Sequence, residues 1–148
     1  MQKEWVAPPA IGGLLRLVWQ THRGRLYERV TAAGFRDVTQ AQFALVRWPG
    51  IDGLRPSEVA ESVGLSKQTI NDLLGEVEGN GYLERHQHPD DGRARVIRLT
   101  ARGWELQRTT HTISQDLEAA WAASVGHKRF QALRSTLEAM VARGLPEE

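Results

Sequence analysis

A chain of 148 residues, 41 % hydrophobic and 25 % charged, with 14 Gly, 6 Pro and no Cys, has the size of one compact domain. The lack of Cys excludes thiol redox sensing, thiolate metal sites and cysteine nucleophiles, and no apolar run approaches the ~20 residues a membrane span requires. Net charge is only +1, spread as seven basic against four acidic residues in 1–53, six against eight in 54–100 and six against six in 101–148, so no strongly basic tail announces a nucleic acid. Met1 to Pro9 lacks the apolar core of a signal peptide, and a cytosolic location is the expectation.

After Pro8-Pro9, apolar residues recur near a 3.6-residue period at Ile11, Leu14, Leu15, Val18, Trp19, Leu26 and Val30, which predicts a long first helix ending before Gly34. Thr39 with Gln42 is a capping-box pattern opening a short helix through Phe43, Leu45, Val46 and Trp48, stopped by Pro49-Gly50. Pro56 suits the first position of a third helix, with Val59, Ala60 and Val63 inward and Gly64 as the turn. Ser66 then caps a fourth helix whose inner side is Ile70, Leu73, Leu74 and Val77, terminated by Gly79-Asn80-Gly81. Two helices joined by so tight a Gly-containing turn form a helix-turn-helix, whose second helix is free to enter a DNA major groove. Its outer letters, Ser66, Lys67, Gln68, Thr69, Asn71 and Asp72, are polar groups suited to base edges or phosphates.

The period then changes to two. Residues 82–86 and 95–99 read as strands bracketing a turn-forming stretch from His88 to Arg93, which predicts a hairpin bearing four Arg (85, 93, 95 and 98). Arg85 and Arg98 are candidates for pairing with acids across the hairpin, and Lys67 and Arg95 for phosphate neutralisation. Thr100 caps a long helix with Trp104, Leu106, Ile113, Leu117, Trp121 and Val125 at its apolar positions, and a last helix carries Phe130, Leu133, Leu137, Met140 and Val141 spaced as a buried stripe before Gly144 and Pro146. The fold class expected is mainly α (α+β), a winged helix-turn-helix lobe over 54–100 with dimerisation helices at 10–33 and 101–144, all in a single domain 1–148.

The terminal helices need a surface to bury against. A twofold mate would cover Leu14, Leu15, Val18 and Trp19 at one end and Leu133, Leu137, Met140 and Val141 at the other; the plain alternative is a monomer whose end helices close its own core. A dimer also suits a pseudo-palindromic operator with half-sites about 34 Å apart.

The stretches Pro56-Ser57-Glu58-Val59-Ala60, Gly64 to Ile70, Val77 to Arg85, Pro89 to Arg95 and Leu99-Thr100-Ala101-Arg102-Gly103, in this order and flanked by long helices, resemble the MarR family of winged helix-turn-helix transcriptional regulators. The resemblance covers nearly the whole chain and implies a homodimer on promoter operators, often a repressor, released by a small aromatic molecule. It places major-groove reading on Ser66, Gln68, Thr69 and Asn71, the minor-groove arginine at Arg93, and at Asp91 the acid that steadies it by an ion pair. A narrow electronegative groove attracts a guanidinium, and a neighbouring carboxylate fixes its planar fork. Asp72 stands where the family commonly has Arg, Gly75 and Glu76 where longer polar or basic residues are usual, and Gly92 where a second wing Arg is common. An acid at 72 either accepts from a cytosine amine or weakens DNA binding through repulsion.

Other chemistry is poorly represented. His22, Tyr27, Trp48, Trp104 and His111 are candidates for an apolar ligand cleft, although Trp residues at helical spacing are equally expected in a core or interface. His86 and His88 share a strand face without a third ligand nearby, so no metal and no cofactor is expected. Asp90-Asp91 is a wing turn, and no nucleophile elbow or phosphate loop is present, so no catalysis is expected. The competing reading is a winged-helix protein that acts through a protein partner with weak or no DNA binding of its own.

Overall fold

The computed structural model describes residues 10–48 and 50–144; Pro8-Pro9, Pro49 and Pro146 lie outside the described residues. The elements are α1 (Ile11–Ala32), α2 (Gln40–Val46), α3 (Pro56–Val63), α4 (Lys67–Gly79), β1 (Leu83–His88), β2 (Asp91–Leu99), α5 (Ala101–Val125) and α6 (His127–Arg143). The order is mainly α with one small antiparallel sheet. The chain divides into two compact units at His111/Thr112. Among the described residues no helix is long and apolar enough to cross a membrane.

Local chemistry explains the boundaries in the first unit. Thr39 Oγ1 accepts from the Gln42 N–H at 3.3 Å and Gln42 Oε1 accepts from the Thr39 N–H at 2.9 Å, the reciprocal capping box expected for α2. Gln42 is nevertheless buried, because its amide also donates to Glu76 Oε2 of α4 at 2.7 Å. Gly64 ends α3 at φ +72°, a left-handed conformation that a side chain disfavours. The core of this unit joins Leu26 and Val30 of α1 to Phe43, Val46, Ile51, Val59, Ile70, Leu74, Val77, Tyr82, Leu83, Ile97 and Leu106, all nearly inaccessible to solvent. Each such side chain contributes about 1.5–3 kcal/mol relative to exposure.

The hairpin differs from expectation. Its strands run to His88 and from Asp91, so the connection is only Pro89-Asp90 rather than the stretch 88–93. Residues Gly92 to Ala94 instead form a bulge, since Gln87 pairs with Arg95 whereas His88 pairs with Asp91. The Gln87 amide donates to Gly92 O at 2.6 Å and closes this bulge. At the other end, the Gly53 N–H donates to Ile97 O (2.7 Å) and the Ile97 N–H to Leu54 O (2.9 Å), so the α2–α3 loop covers the free edge of β2.

A polar knot joins three segments. Asp37 accepts from the Tyr82 hydroxyl at 2.6 Å and from Arg102 at 2.9 Å, Arg102 stacks 4.4 Å above the Tyr82 ring and donates to Asn80 O, and Asn80 donates to Asp37 O. Burial acts to raise the Asp37 carboxyl, yet the Tyr82 and Arg102 donors outweigh it and hold the group below its ordinary value. This contribution is present above the unfolded carboxylate range and is lost as pH falls through the lower folded value. Tyr82→Phe is expected to cost about 1.5 kcal/mol at pH 7 and to flatten the acid limb below about pH 4, as read from urea midpoints between about pH 2.5 and 7.

Two sets of side chains expected to be covered by a twofold mate are exposed or half-buried in the single chain. On α1 only Leu26 and Val30 are buried, while Leu14, Leu15, Val18 and Trp19 are 36–48 % accessible. In the second unit Ile113, Leu117 and Ala122 of α5 are buried, but α6 buries nothing: Leu133, Met140 and Val141 are 48 %, 47 % and 84 % exposed, and Phe130 and Leu137 only half-buried. The stripe on α6 has the expected spacing without a covering surface in this chain. Within that unit Arg134 pairs with Glu118 and, at 3.7 Å, with Glu138. Trp104 is also exposed, its turn of α5 facing the core through Leu106.

Candidate nucleic-acid interface

The turn Gly64-Leu65-Ser66 delivers α4 with its polar face outward. Ser66 caps the helix by accepting from the Thr69 N–H at 3.1 Å, and its hydroxyl lies 2.8 Å from Thr69 Oγ1. Lys67, Gln68, Thr69, Asn71 and Asp72 are all exposed, while Ile70, Leu74 and Val77 anchor the opposite face. The outer groups are not free rotors. Gln68 Nε2 donates to Asp72 Oδ1 at 2.8 Å and Asn71 Nδ2 donates to Lys67 O at 2.9 Å, which leaves each amide oxygen and one N–H directed by an existing bond.

Asp72 and Glu76 therefore differ in role from simple repulsive charges. Asp72 orients Gln68, and Glu76 is tied to Gln42 on α2. Gly75 is half-buried beside Arg85, where an added Cβ would meet Arg85 Nη2 at an ordinary 3.9 Å. Gly75→Ala is accordingly expected to raise stability by about 1 kcal/mol, read from the denaturant midpoint at constant m-value.

The wing supplies the cations. Arg93 and Arg95 are exposed, and neither enters an ion pair among the described residues. Asp91 supports Arg93 in a different way from the expected ion pair: its Oδ1 accepts from the Arg93 backbone N–H at 3.1 Å, shaping the bulge rather than clamping the guanidinium. Arg85 and Arg98 do pair with acids, but not across the hairpin. Arg85 reaches Glu78 of α4 at 2.7 Å and Arg98 reaches Asp52 at 3.1 Å. For Glu78, burial opposes ionisation, and the donors from Arg85, with the Arg95 charge nearby, prevail and hold the carboxyl low. His86 lies 2.8 Å from Glu84 Oε2, and the His88 ring accepts from the Asp90 N–H.

Between α3, α4 and β2 lies a cleft of about 330 Å³ lined by Arg55, Pro56, Ser57, Asn71, Arg85, Ala94 and Arg95. Arg55 and Ser57 are not apparent as site residues from the sequence. Their signal is weak, an arginine and a serine flanking the Pro56 that starts a helix, and only the return of β2 brings Arg95 to them. The arrangement joins three guanidinium groups to the recognition face and suits a phosphate backbone.

The proposed ligand residues are dispersed over elements. The Tyr27 hydroxyl donates to Val38 O at 2.8 Å and its ring tilts against Phe43, a structural role. His22 stacks near Trp19 at 6.3 Å, Trp48 is half-buried just after α2, and Trp104 and His111 are exposed on α5. Among the described residues no group of three or more His, Asp or Glu could hold a metal ion.

Residues 36–94 match the model of the MarR family, and 96 residues are 32 % identical to the transcriptional regulator HosA of Escherichia coli O111:H-. Over these residues the chain is similar to the MarR family. The HosA match takes in 62 % of this chain and 65 % of HosA, slightly under two thirds of that relative's length. Among solved structures the chain is similar to the reduced form of Escherichia coli MarR (TM-score 0.72, 22 % identity, covering 95 % of this chain and 100 % of that one). It is also similar to a Staphylococcus aureus MepR–DNA complex (TM-score 0.67, 18 % identity, covering 92 % and 98 %). At these identities the likeness is one of fold, which among the described residues comprises six helices and a two-stranded wing.

Proposed function

We propose that the protein is a sequence-specific, non-enzymatic DNA-binding transcriptional regulator, a homodimeric repressor released by a small aromatic ligand. The observation that carries the reading is the exposed polar face of α4, Ser66 to Asp72, set beside Arg93 and Arg95, which have no ion pair among the described residues, and the cleft of Arg55 and Arg85. Gln68, Thr69 and Asn71 read base edges in the major groove with Asp72 orienting Gln68; Ser66, Lys67, Arg55 and Arg95 hold phosphates, and Arg93 enters the minor groove. The reading is supported by the likeness in fold to MepR, a relative found in complex with DNA. The dimer is supported by the uncovered apolar faces of α1 and α6, and twofold pairing would present two lobes of 54–100 to two half-sites. Release by an aromatic ligand rests on the resemblance and on the aromatic residues of α1 and α2.

Selection of binding sites from random duplexes with the purified protein, followed by salt titration, tests the reading. A palindromic consensus with steep salt dependence is expected; no enriched sequence would favour action through a protein partner. Arg93→Ala is expected to weaken binding by about 1–3 kcal/mol, most where the flanks are A·T-rich. Arg95→Ala should weaken all sequences alike and reduce the salt slope by about 2 per dimer. A uniform loss in the first variant would reassign Arg93 to a phosphate.

A further inference from the structure

We propose that Arg85 of β1 clamps one backbone phosphate of the bound duplex by reaching across α4, with Glu78 as its positioning residue. The inference deepens the proposed DNA binding and rests on it. By its own charge α4 is a poor match to a polyanion, since Lys67 stands against Asp72, Glu76 and Glu78. Asn71, Gly75 and Glu78 follow one another at helical spacing and form a single stripe on that helix. Arg85 lies along the stripe. Its Nε donates to Glu78 Oε2 at 2.8 Å, its Nη2 lies 2.7 Å from the same oxygen, and its backbone N–H donates to Glu78 Oε1 at 3.0 Å. Nη2 also lies 3.9 Å from where a Cβ on Gly75 would stand, so the glycine leaves open the space that the guanidinium crosses.

Glu78 sets the direction of the fork without exhausting it. A guanidinium carries N–H groups on three nitrogens, and the Nη1 pair of Arg85 has no acceptor among the described residues. Burial opposes ionisation of Glu78, yet the Arg85 donors and the Arg95 charge outweigh it, so the holding carboxylate is present at neutral pH. Arg55 and Arg95 line the same cleft and leave its walls positive in spite of Glu78, while the neighbouring acid Glu58 is turned to the Arg55 N–H at 2.6 Å. A phosphodiester offers two unesterified oxygens sharing one negative charge, the acceptor pair that a preset planar fork matches. Asn71, whose amide donates to Lys67 O, lines this cleft as well. A phosphate held there is fixed beside the base-reading face, so the clamp sets the register of α4 in the major groove.

The test uses a duplex selected by the wild-type protein, remade with a single neutral methylphosphonate at each phosphate in turn. Affinity for each modified duplex is divided by that for the unmodified one on the same preparation, so a partly unfolded variant does not distort the ratio. In the wild type, one position in each half-site is expected to cost about tenfold through Arg85. In Arg85→Gln that position should cost less than about twofold, with the rest of the scan unchanged. Arg85→Lys, which keeps the charge but not the fork, should bind more weakly than the wild type. Glu78→Gln separates positioning from repulsion: removing an acid beside a polyanion would by charge alone tighten binding, whereas loss of the held fork should weaken it and shrink the effect at that same phosphate. Identical scans for the wild type and Arg85→Gln overturn the clamp. Tighter binding by Glu78→Gln with an unaltered scan overturns the positioning role. A wild-type protein that selects no duplex overturns the DNA reading itself, and the clamp with it.

Discussion

Gly103→Ala is expected to be the most damaging small substitution in the chain. Gly103 is buried in the first turn of α5, and a Cβ built there would lie 2.1 Å from the backbone oxygen of Tyr82 and 3.1 Å from Leu99 Cδ2. The first contact cannot be relieved by turning a side chain. The Tyr82 carbonyl also accepts from the Thr100 N–H at 3.2 Å, and Thr100 accepts from the Gly103 N–H while donating to Gly81 O, so the start of α5 and the exit of α4 are bound together. Relief therefore requires moving backbone, at a cost of about 3 kcal/mol or more. Set against a total stability of roughly 5–15 kcal/mol, that is a fall in melting temperature of about 10 °C. Gly24→Ala on α1 is the control, because nothing lies within 4 Å of its added Cβ and a gain of about 1 kcal/mol is expected. Thermal melts of the two variants followed by circular dichroism distinguish crowding from helix propensity, and equal melting temperatures would show that the α4–α5 junction yields easily.

The second large effect concerns assembly. Leu133→Asp combined with Met140→Asp is expected to give a folded monomer with operator binding weaker by about a hundredfold or more. Both residues are about half exposed and α6 buries no side chain in the single chain, so the acids should not unfold it. In a dimer the same positions would place like charges in an apolar seam. Loss of the linked second lobe removes the effective-concentration gain of binding two half-sites, commonly about 10²–10⁴-fold. Sedimentation equilibrium and operator titration on one preparation decide the matter: a variant that stays dimeric places the seam elsewhere, on α1 or on no part of α6.

Much of this architecture is legible in the chain because local chemistry and tertiary packing agree. Thr39 with Gln42, Pro56 at a helix start, Ser66 as cap and the positive-φ glycines at 64 and 81 each impose a boundary that the fold respects. The wing is harder to read. Asp91-Gly92 looks like a turn in isolation, yet pairing of His88 with Asp91 and the Gln87 bond to Gly92 draw it into an extended bulge. Periodicity also marks which faces are apolar without saying what covers them, and so α6 shows the right spacing and no burial. For the candidate site, the outer face of α4 follows from the helical period alone. The Glu78–Arg85 pair, the Gln42–Glu76 bond and the Arg55–Arg95 cleft depend on contacts between different elements, where periodicity within one element gives no guide.

The bond pair between Ile97 and residues 53–54 fixes the root of the hairpin, whereas the bulge beyond Gln87 is held by little more than one side-chain amide and one carboxylate. Changes of sequence or length in residues 89–94 are thereby insulated from the core. A lineage carrying this scaffold can vary the sequence of the hairpin tip with little accompanying loss of folding stability.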